Sequence, residues 1–327
     1  YMVDMHEPLM FLHNLDTTIK EPFASNPAVL DAVEKNHKKL QIAMTKLYPG
    51  NLVLSLSSGI MYHRLVDRIT ALNDVPREPL VPRRLGKNMC VPFGKILRGK
   101  VVPNTVTKTL HTDKVYEPDL NSFTIEPFPY YSPLKSQIET IKSFDRPVIL
   151  VDDLVHTANR LQVLVPQLRE DGIPIKKVVV GVLSGYGRDL MQCLKVPVES
   201  IYSMPNLRQW FVESTLYPFI GGDTVRREEM KVAGLQPSIN MILPYATPRL
   251  SGCSREALVE FSACCIENSR DLFQVLEAEY RKMYAKNLTL SRLSEAVILP
   301  LCPDKGSCME YDENLAASVY LENDLET

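Results

Sequence analysis

The chain has 327 residues, 45% of them hydrophobic and 23% charged, with a formal net charge of −2. That length can bury one large core with an appendage, or two domains, and the composition is globular rather than disordered or fibrous. The near-neutral charge argues against whole-protein affinity for nucleic acid or an anionic membrane, and no stretch approaches the roughly eighteen apolar residues of a spanning helix.

The chain opens Tyr1-Met2-Val3-Asp4, without the basic flank and apolar core of a signal peptide. Because it begins on Tyr rather than Met, a piece of a longer protein with a further domain is one expectation. Residues 1–25 mix Pro, His and acids without a period and read as irregular lead-in. Asn26-Pro27 has the form of an N-cap followed by proline at the first helical position. Val29, Val33, Leu40, Met44 and Leu47 then recur at helical spacing until Pro49-Gly50. Residues 52–56 predict a short strand, followed by Ser57-Ser58-Gly59 and a helix through Ile60, Met61, Leu65, Val66 and Ile69. Such a turn points backbone N–H groups and a helix N-terminus at an anion, although any strand–helix unit needs one.

Residues 83–114 carry Arg83, Arg84, Lys87, Lys95, Arg98, Lys100, Lys108 and Lys114 against a single acid, Asp113. Within them 89–93 reads as a strand, and 94–112, rich in Gly, Pro, Asn and Thr, as a hairpin or mobile loop. Such a cluster fits either a polyanionic ligand or a solvated surface loop. A strand over 122–128 and a helix opened by Pro133 follow.

Val148–Val151 is an unbroken apolar run, the mark of a strand buried on both faces of a parallel sheet. It runs into Asp152 and Asp153, at the carboxyl end of the strand where ligands of such sheets sit. A helix with Leu161, Leu164 and Leu168 comes next, kinked or shortened by Pro166 and closed at Asp171-Gly172. A second buried strand (177–183), a helix (189–194) and a strand (198–203) continue the alternation. The fold class predicted is α/β, a mainly parallel central sheet flanked by helices, with helical N-terminal and C-terminal extensions.

Beyond 205 the pattern changes. Trp210, the only tryptophan, Phe211 and Tyr217 precede Gly221-Gly222-Asp223, and such aromatics either line a pocket for a flat ring or pack over a sheet edge. Residues 254–286 predict one long amphipathic helix with Leu258, Phe261, Cys265, Leu272, Leu276 and Met283 on one face, then a shorter helix near 290–298. The last nineteen residues hold six acids and no Lys or Arg, and read as a solvated tail. Seven scattered cysteines without a Cys-x-x-Cys pair predict free thiols and a cytoplasmic location. The implied division is 1–49, lead-in and helix; 50–250, the α/β domain; 251–327, helical extension and acidic tail.

Residues 148–160, Val-Ile-Leu-Val-Asp-Asp-Leu-Val-His-Thr-Ala-Asn-Arg, resemble the phosphoribosyl-pyrophosphate (PRPP) binding motif of type I phosphoribosyltransferases. In that family an apolar strand ends in two acids and leads into a Thr-Gly-x-Thr phosphate loop. The resemblance implies that Asp152 and Asp153 accept hydrogen bonds from the ribose hydroxyls. It puts the 5′-phosphate on the backbone of 156–160, with Thr157, Ala158, Asn159 and Arg160 around it, and pyrophosphate at Ser57, Ser58 and Gly59. Lys95, Arg98, Lys100 or Lys108 would close over the pyrophosphate, and the acceptor base would stack near Trp210, Phe211 or Tyr217. Mg²⁺ would be held through pyrophosphate and ribose oxygens, with no direct protein ligand expected.

Three departures stand out. Ala158 replaces the family's loop glycine and Arg160 its final Thr or Ser. No acid lies in 154–157, where His156 either acts as the base near neutral pH or caps the loop. The function implied is transfer of phosphoribose to or from a nitrogenous base in nucleotide metabolism. The alternative is a non-catalytic module that senses PRPP or a nucleotide within a larger protein. The chain is also similar to the phosphoribosyltransferase-like portion that some bacterial proteins carry beside a cytidylyltransferase-type nucleotidyltransferase domain, although the His-x-Gly-His signature of such domains is absent. The expected partner is a small phosphoribosyl or nucleotide ligand, with no membrane and no nucleic acid; a homodimer is left open.

Overall fold

The apolar runs and capping residues resolve, in a computed structural model, into α/β architecture described for residues 4–326 except 83, 98, 228–231, 233, 249, 251 and 306–310. Arg83, Arg98 and Cys308 therefore lie outside the described residues. In chain order the elements are β1 (Asp4–His13), α1 (Pro27–Leu47), β2 (Asn51–Ser57), α2 (Ser58–Leu72), β3 (Met89–Pro92) and β4 (Val106–Thr107). Then come β5 (Thr112–Tyr116), β6 (Phe123–Pro127), α3 (Leu134–Lys142), β7 (Val148–Val155), α4 (Asn159–Glu170), β8 (Ile175–Ser184), α5 (Gly185–Cys193) and β9 (Val198–Met204). The rest are β10 (Gln209–Val212), β11 (Asp223–Val225), β12 (Gln236–Ile239), α6 (Arg255–Tyr284), β13 (Leu301–Pro303) and α7 (Ala317–Leu325). Contacts gather the chain into two units, residues 1–55, 115–123 and 209–327 in the first, 56–114 and 124–208 in the second.

The second unit is built on a parallel sheet in the order β4-β3-β7-β8-β9. β7 lies between β3 and β8, and Val148, Ile149, Leu150 and Val151 are fully buried. On one face α3 and α4 supply Ile138, Ile141, Leu161, Leu164 and Leu168 to a cluster with Val91, Leu150 and Val180. Each such side chain contributes about 1.5–3 kcal/mol by leaving water. α2 packs on β8, where Gly181 is required because a Cβ there would overlap Met61 and the Asp153 carbonyl. Pairing with β8 continues through Asp152–Val180 to Val155–Leu183, so the two acids lie within β7 rather than beyond its end.

The hairpin expected over 94–112 is replaced by a crossover, because β4 pairs with β3 in parallel. Nor is the segment loosely held. Leu97, Val102 and Leu110 are buried, and the Asn104 side chain accepts from the Leu80 N–H and donates to the carbonyls of Pro76 and Glu78.

In the first unit β1 lies between β10 and β2 and pairs in parallel with β10 from Leu9–Gln209 to Leu12–Val212. The lead-in over 1–25 thus contains a strand, built on the buried run Leu9–Leu12 that Pro8 and its polar neighbours mask. A second sheet joins β13, β12 and β11 to the end of β5 through Thr224–Val115 and Val225–Tyr116. α1 begins at Pro27, with Asn26 accepting from the Ala28 and Val29 N–H groups. It packs along α6, which spans about 45 Å, and Leu40, Met44 and Leu47 share a core with Phe261, Cys265 and Leu276. Buried Asn36 and Asn268 fix that register by each donating to the other's backbone carbonyl, at 2.7 and 2.9 Å.

Four further expectations are corrected in this unit. Met283 is exposed and Tyr280 takes the buried position; the helix near 290–298 is a 3₁₀ segment, Leu290–Glu295. The acidic tail is not solvated throughout, because α7 buries Ala317 and Leu321, and its Asp324 pairs with Lys305 and accepts from the Tyr245 hydroxyl. Phe211 and Tyr217 belong to the core, where they cannot stack on a ligand, while half-buried Trp210 sits in β10 opposite Met10. The six described cysteines are free thiols, and no helix among the described residues is long and apolar enough to cross a membrane.

The docking of α7 predicts that Leu321→Ala lowers unfolding free energy by about 2–5 kcal/mol, the cost of a buried leucine cavity. Chemical denaturation checks this; a change near zero would return the C-terminus to a solvated tail.

Candidate functional site

The carboxyl half of β7, the loop after it and the first turn of α4 enclose a pocket of about 180 Å³ in the second unit. Asp152, His156, Thr157, Ala158, Asn159 and Arg160 line it with Lys114, against an apolar wall that includes Phe93, Ile125 and Leu154. Six sequence-predicted residues thus meet at one place. The pocket is smaller than the roughly 300–1,000 Å³ typical of drug-sized ligands.

Ala158 carries the loop's geometry. It precedes α4 with φ +51° and ψ 21°, the left-handed conformation that glycine adopts without steric cost. The backbone therefore keeps the turn expected of a glycine although the residue is alanine, and its methyl group is buried among apolar neighbours. No side chain caps α4, in contrast to α1, α2, α5 and α6, which Asn26, Ser57, Ser184 and Ser254 cap. First-turn N–H groups of a helix have no intrahelical acceptor, and their partial positive charge suits an anion. Thr157 Oγ1 accepts from Asn159 Nδ2 at 2.8 Å, and Gln162 Nε2 donates to the Thr157 carbonyl at 3.3 Å, which tie the loop to the helix. Arg160 adds a guanidinium whose buried Nε has no hydrogen-bond partner among the described residues.

Asp152 is 5% exposed and lies beneath the Phe93-Gly94 turn so closely that a Cβ at Gly94 would overlap Asp152 Oδ1. Its Oδ1 accepts from the Asp153 N–H at 2.8 Å. Burial pushes this carboxyl well above its ordinary range, neighbouring Asp153 pushes it further, and the positive charge of Arg160 only partly opposes both. The site thus favours the neutral form of Asp152, able to donate as well as accept, more than an ordinary carboxyl would, where two fully ionised acids were expected. Asp153 is half-buried, and its Oδ1 accepts from the Leu154 N–H at 3.0 Å; it does not line the pocket.

His156 Nδ1 lies 2.8 Å from Ser184 Oγ, which also accepts from the Gly187 N–H at the start of α5. Burial lowers the imidazole's affinity for protons, so at neutral pH it is the uncharged ring. Ser184 is the orienting group that no motif marked.

The remaining predicted residues stand apart from the pocket lining. Ser57 accepts from the Ile60 N–H and so caps α2, Ser58 is buried beside it, and Gly59 is half-buried. Lys95 and Lys100 are exposed, the Lys100 ammonium lying 4.2 Å from the centre of the Tyr62 ring. Trp210 belongs to the first unit.

No family model and no curated protein matches this chain. Among solved structures, a purine phosphoribosyltransferase from Pyrococcus horikoshii Ot3 aligns with 47% of this chain and 88% of its own at 10% identity and a TM-score of 0.28. An alignment that distant carries no weight beside the chain's own topology.

The raised proton affinity of Asp152 has a testable sign. A carboxyl that holds its proton more tightly folded than unfolded contributes stability below its unfolded value, near 3.8, and that contribution is lost as pH rises through the folded value. Asp152→Asn cannot titrate, so it is predicted to gain stability relative to wild type as pH rises above the unfolded value near 3.8. Parallel denaturation profiles for the two proteins over that range would contradict it.

Proposed function

We propose that the second unit binds a 5-phosphorylated ribose, PRPP with Mg²⁺ being the ligand that its residues suit best, and transfers phosphoribose to or from a nitrogenous base. The observation that carries this reading is the uncapped, left-handed turn at Ala158, next to a buried carboxyl in the carboxyl half of the central strand. Phosphate oxygens would accept from the N–H groups of 159–161, with Arg160 offering a charged donor on the same side. Asp152 would accept one ribose hydroxyl and, while protonated, donate to another oxygen.

The donor chemistry fits Mg²⁺. Adjacent carboxyl oxygens are hard ligands, and a cation nearby would offset the burial and the repulsion from Asp153 that raise the proton affinity of Asp152. Bound through the ligand's oxygens, the ion would neutralise charge on a leaving pyrophosphate. The chain's own part is to hold the sugar while its C1–O bond breaks, so that departing electrons pass to pyrophosphate and the base nitrogen supplies the new bond. Neutral His156, oriented by Ser184, would take a proton at Nε2 if Nδ1 carries the hydrogen shared with Ser184. Lys95, Lys100 and Lys108 are exposed cations that would be available to a pyrophosphate.

A second reading, ligand sensing without turnover, is favoured by the buried Ala158 methyl group, which narrows the phosphate cradle where glycine would open it. Association of the chain with a nucleotidyltransferase partner domain belongs to this second reading.

Two measurements divide these readings. Arg160→Ala is predicted to weaken ribose 5-phosphate binding roughly 10–100-fold, the worth of a hydrogen bond to a charged group; unchanged affinity by calorimetry would remove Arg160 from the site. Pyrophosphate release from PRPP and Mg²⁺ across purine, pyrimidine and pyridine bases is predicted for the transferase. Binding without release from any base would leave the sensor, and no binding would end both readings.

A further inference from the structure

We infer that His13, His37 and Glu213 of the first unit bind a divalent transition-metal ion. Three separate elements deliver them. The parallel register of β1 and β10 ends at Leu12–Val212, so the next residues, His13 and Glu213, stand side by side. Asn14 and Ser214 clamp that end, with Asn14 Nδ2 donating to Ser214 Oγ at 2.8 Å and Asn14 Oδ1 accepting from the Ser214 N–H at 2.9 Å. His37 comes from α1, its ring stacked on Phe11 at 5.4 Å and 9°.

The carboxylate is the anomaly. Glu213 is 1% exposed, and its ion-pair partners among the described residues are the two imidazoles alone. The separations, 3.4 Å from His13 Nδ1 and 3.5 Å from His37 Nδ1, exceed the roughly 2.7–2.9 Å of a charge-assisted hydrogen bond. Glu213 Oε1 and His37 Nδ1 are both buried without a hydrogen-bond partner among the described residues. A buried charge in that condition costs several kcal/mol unless something between the groups neutralises it.

A metal ion meets that need and fits the spacing. Two ligand atoms each about 2.0–2.1 Å from a tetrahedral ion stand roughly 3.3 Å apart, close to both observed gaps. All the ligand atoms lie within 4.8 Å of one another. His13 Nε2 meets Ser55 Oγ, which also accepts from Gln41 Nε2 at 3.0 Å; this outer layer leaves Nδ1 for the ion. Two imidazoles with one carboxylate suit Zn²⁺, Fe²⁺ or Co²⁺ rather than the all-oxygen shells of Mg²⁺ or Ca²⁺. The histidine side chains keep 22% and 18% exposure, so further coordination positions open toward water or a small ligand.

The test titrates the full chain with Zn²⁺ by calorimetry and with Co²⁺ by visible absorption, against His37→Ala and the isosteric Glu213→Gln. One equivalent of Zn²⁺ is expected to bind wild type and raise its unfolding temperature. Either substitution should weaken binding by more than about 100-fold. Wild-type Co²⁺ spectra should show ligand-field bands without thiolate charge transfer. Undiminished affinity in both variants, thiolate bands from the free cysteines, or no binding by wild type would each overturn the site. Should a variant fail to fold, the wild-type Co²⁺ spectrum decides alone.

Discussion

A carboxyl group within the carboxyl half of a strand covered on both faces cannot shed its charge into water, and the second unit is arranged around that constraint. Asp152 extends β7 past the fully buried Val148–Val151, under Gly94 and beside Asp153 and Arg160. The parallel pairing of β7 with β3 and β8 supplies the rigidity that holds it there. Ligands can use such a group because water cannot: a hydroxyl or a cation that reaches Asp152 replaces solvation which the fold has removed. Position and proton affinity thus have one cause.

Much of this unit was legible in the chain because its signals are local. An apolar run bounded by Pro147 and two acids identifies β7, and the alternation of strands with helical periods identifies the parallel sheet around it. Asn26-Pro27 marks the start of α1 through the chemistry of the cap itself. The illegible features are non-local or conformational. β1 looked irregular because its partner β10 lies about two hundred residues away, and that pairing leaves no pattern within either segment. The left-handed backbone at Ala158 is invisible in an alanine, since glycine alone advertises positive φ. Phe93 and Ile125 join the pocket wall only through the fold, and Ser184 through a hydrogen bond to His156.

The first unit follows a different plan. Its core is the long contact between α1 and α6, registered by the Asn36–Asn268 pair, with α7 closing over apolar residues inside an acidic segment. That acidity misled a composition-based reading, because Ala317 and Leu321 fall one helical turn apart and carry the docking face. His13, His37 and Glu213 share no motif spacing either; β1, α1 and the turn after β10 assemble them. Their chemistry, borderline nitrogen with one buried carboxylate, differs from the hard-oxygen chemistry at Asp152, so the ligands proposed for the two units differ in kind.

The turn from β7 into α4 is the proposed anion site, built for a phosphorylated sugar. Backbone amide shifts measured while ribose 5-phosphate is added test this most directly, because they report where the ligand sits without requiring turnover. The largest changes are predicted at the amides of Thr157 to Leu161, with smaller ones at Asp152 and Asp153. Unperturbed amides there at saturating ligand, or changes confined to other parts of the chain, would contradict it.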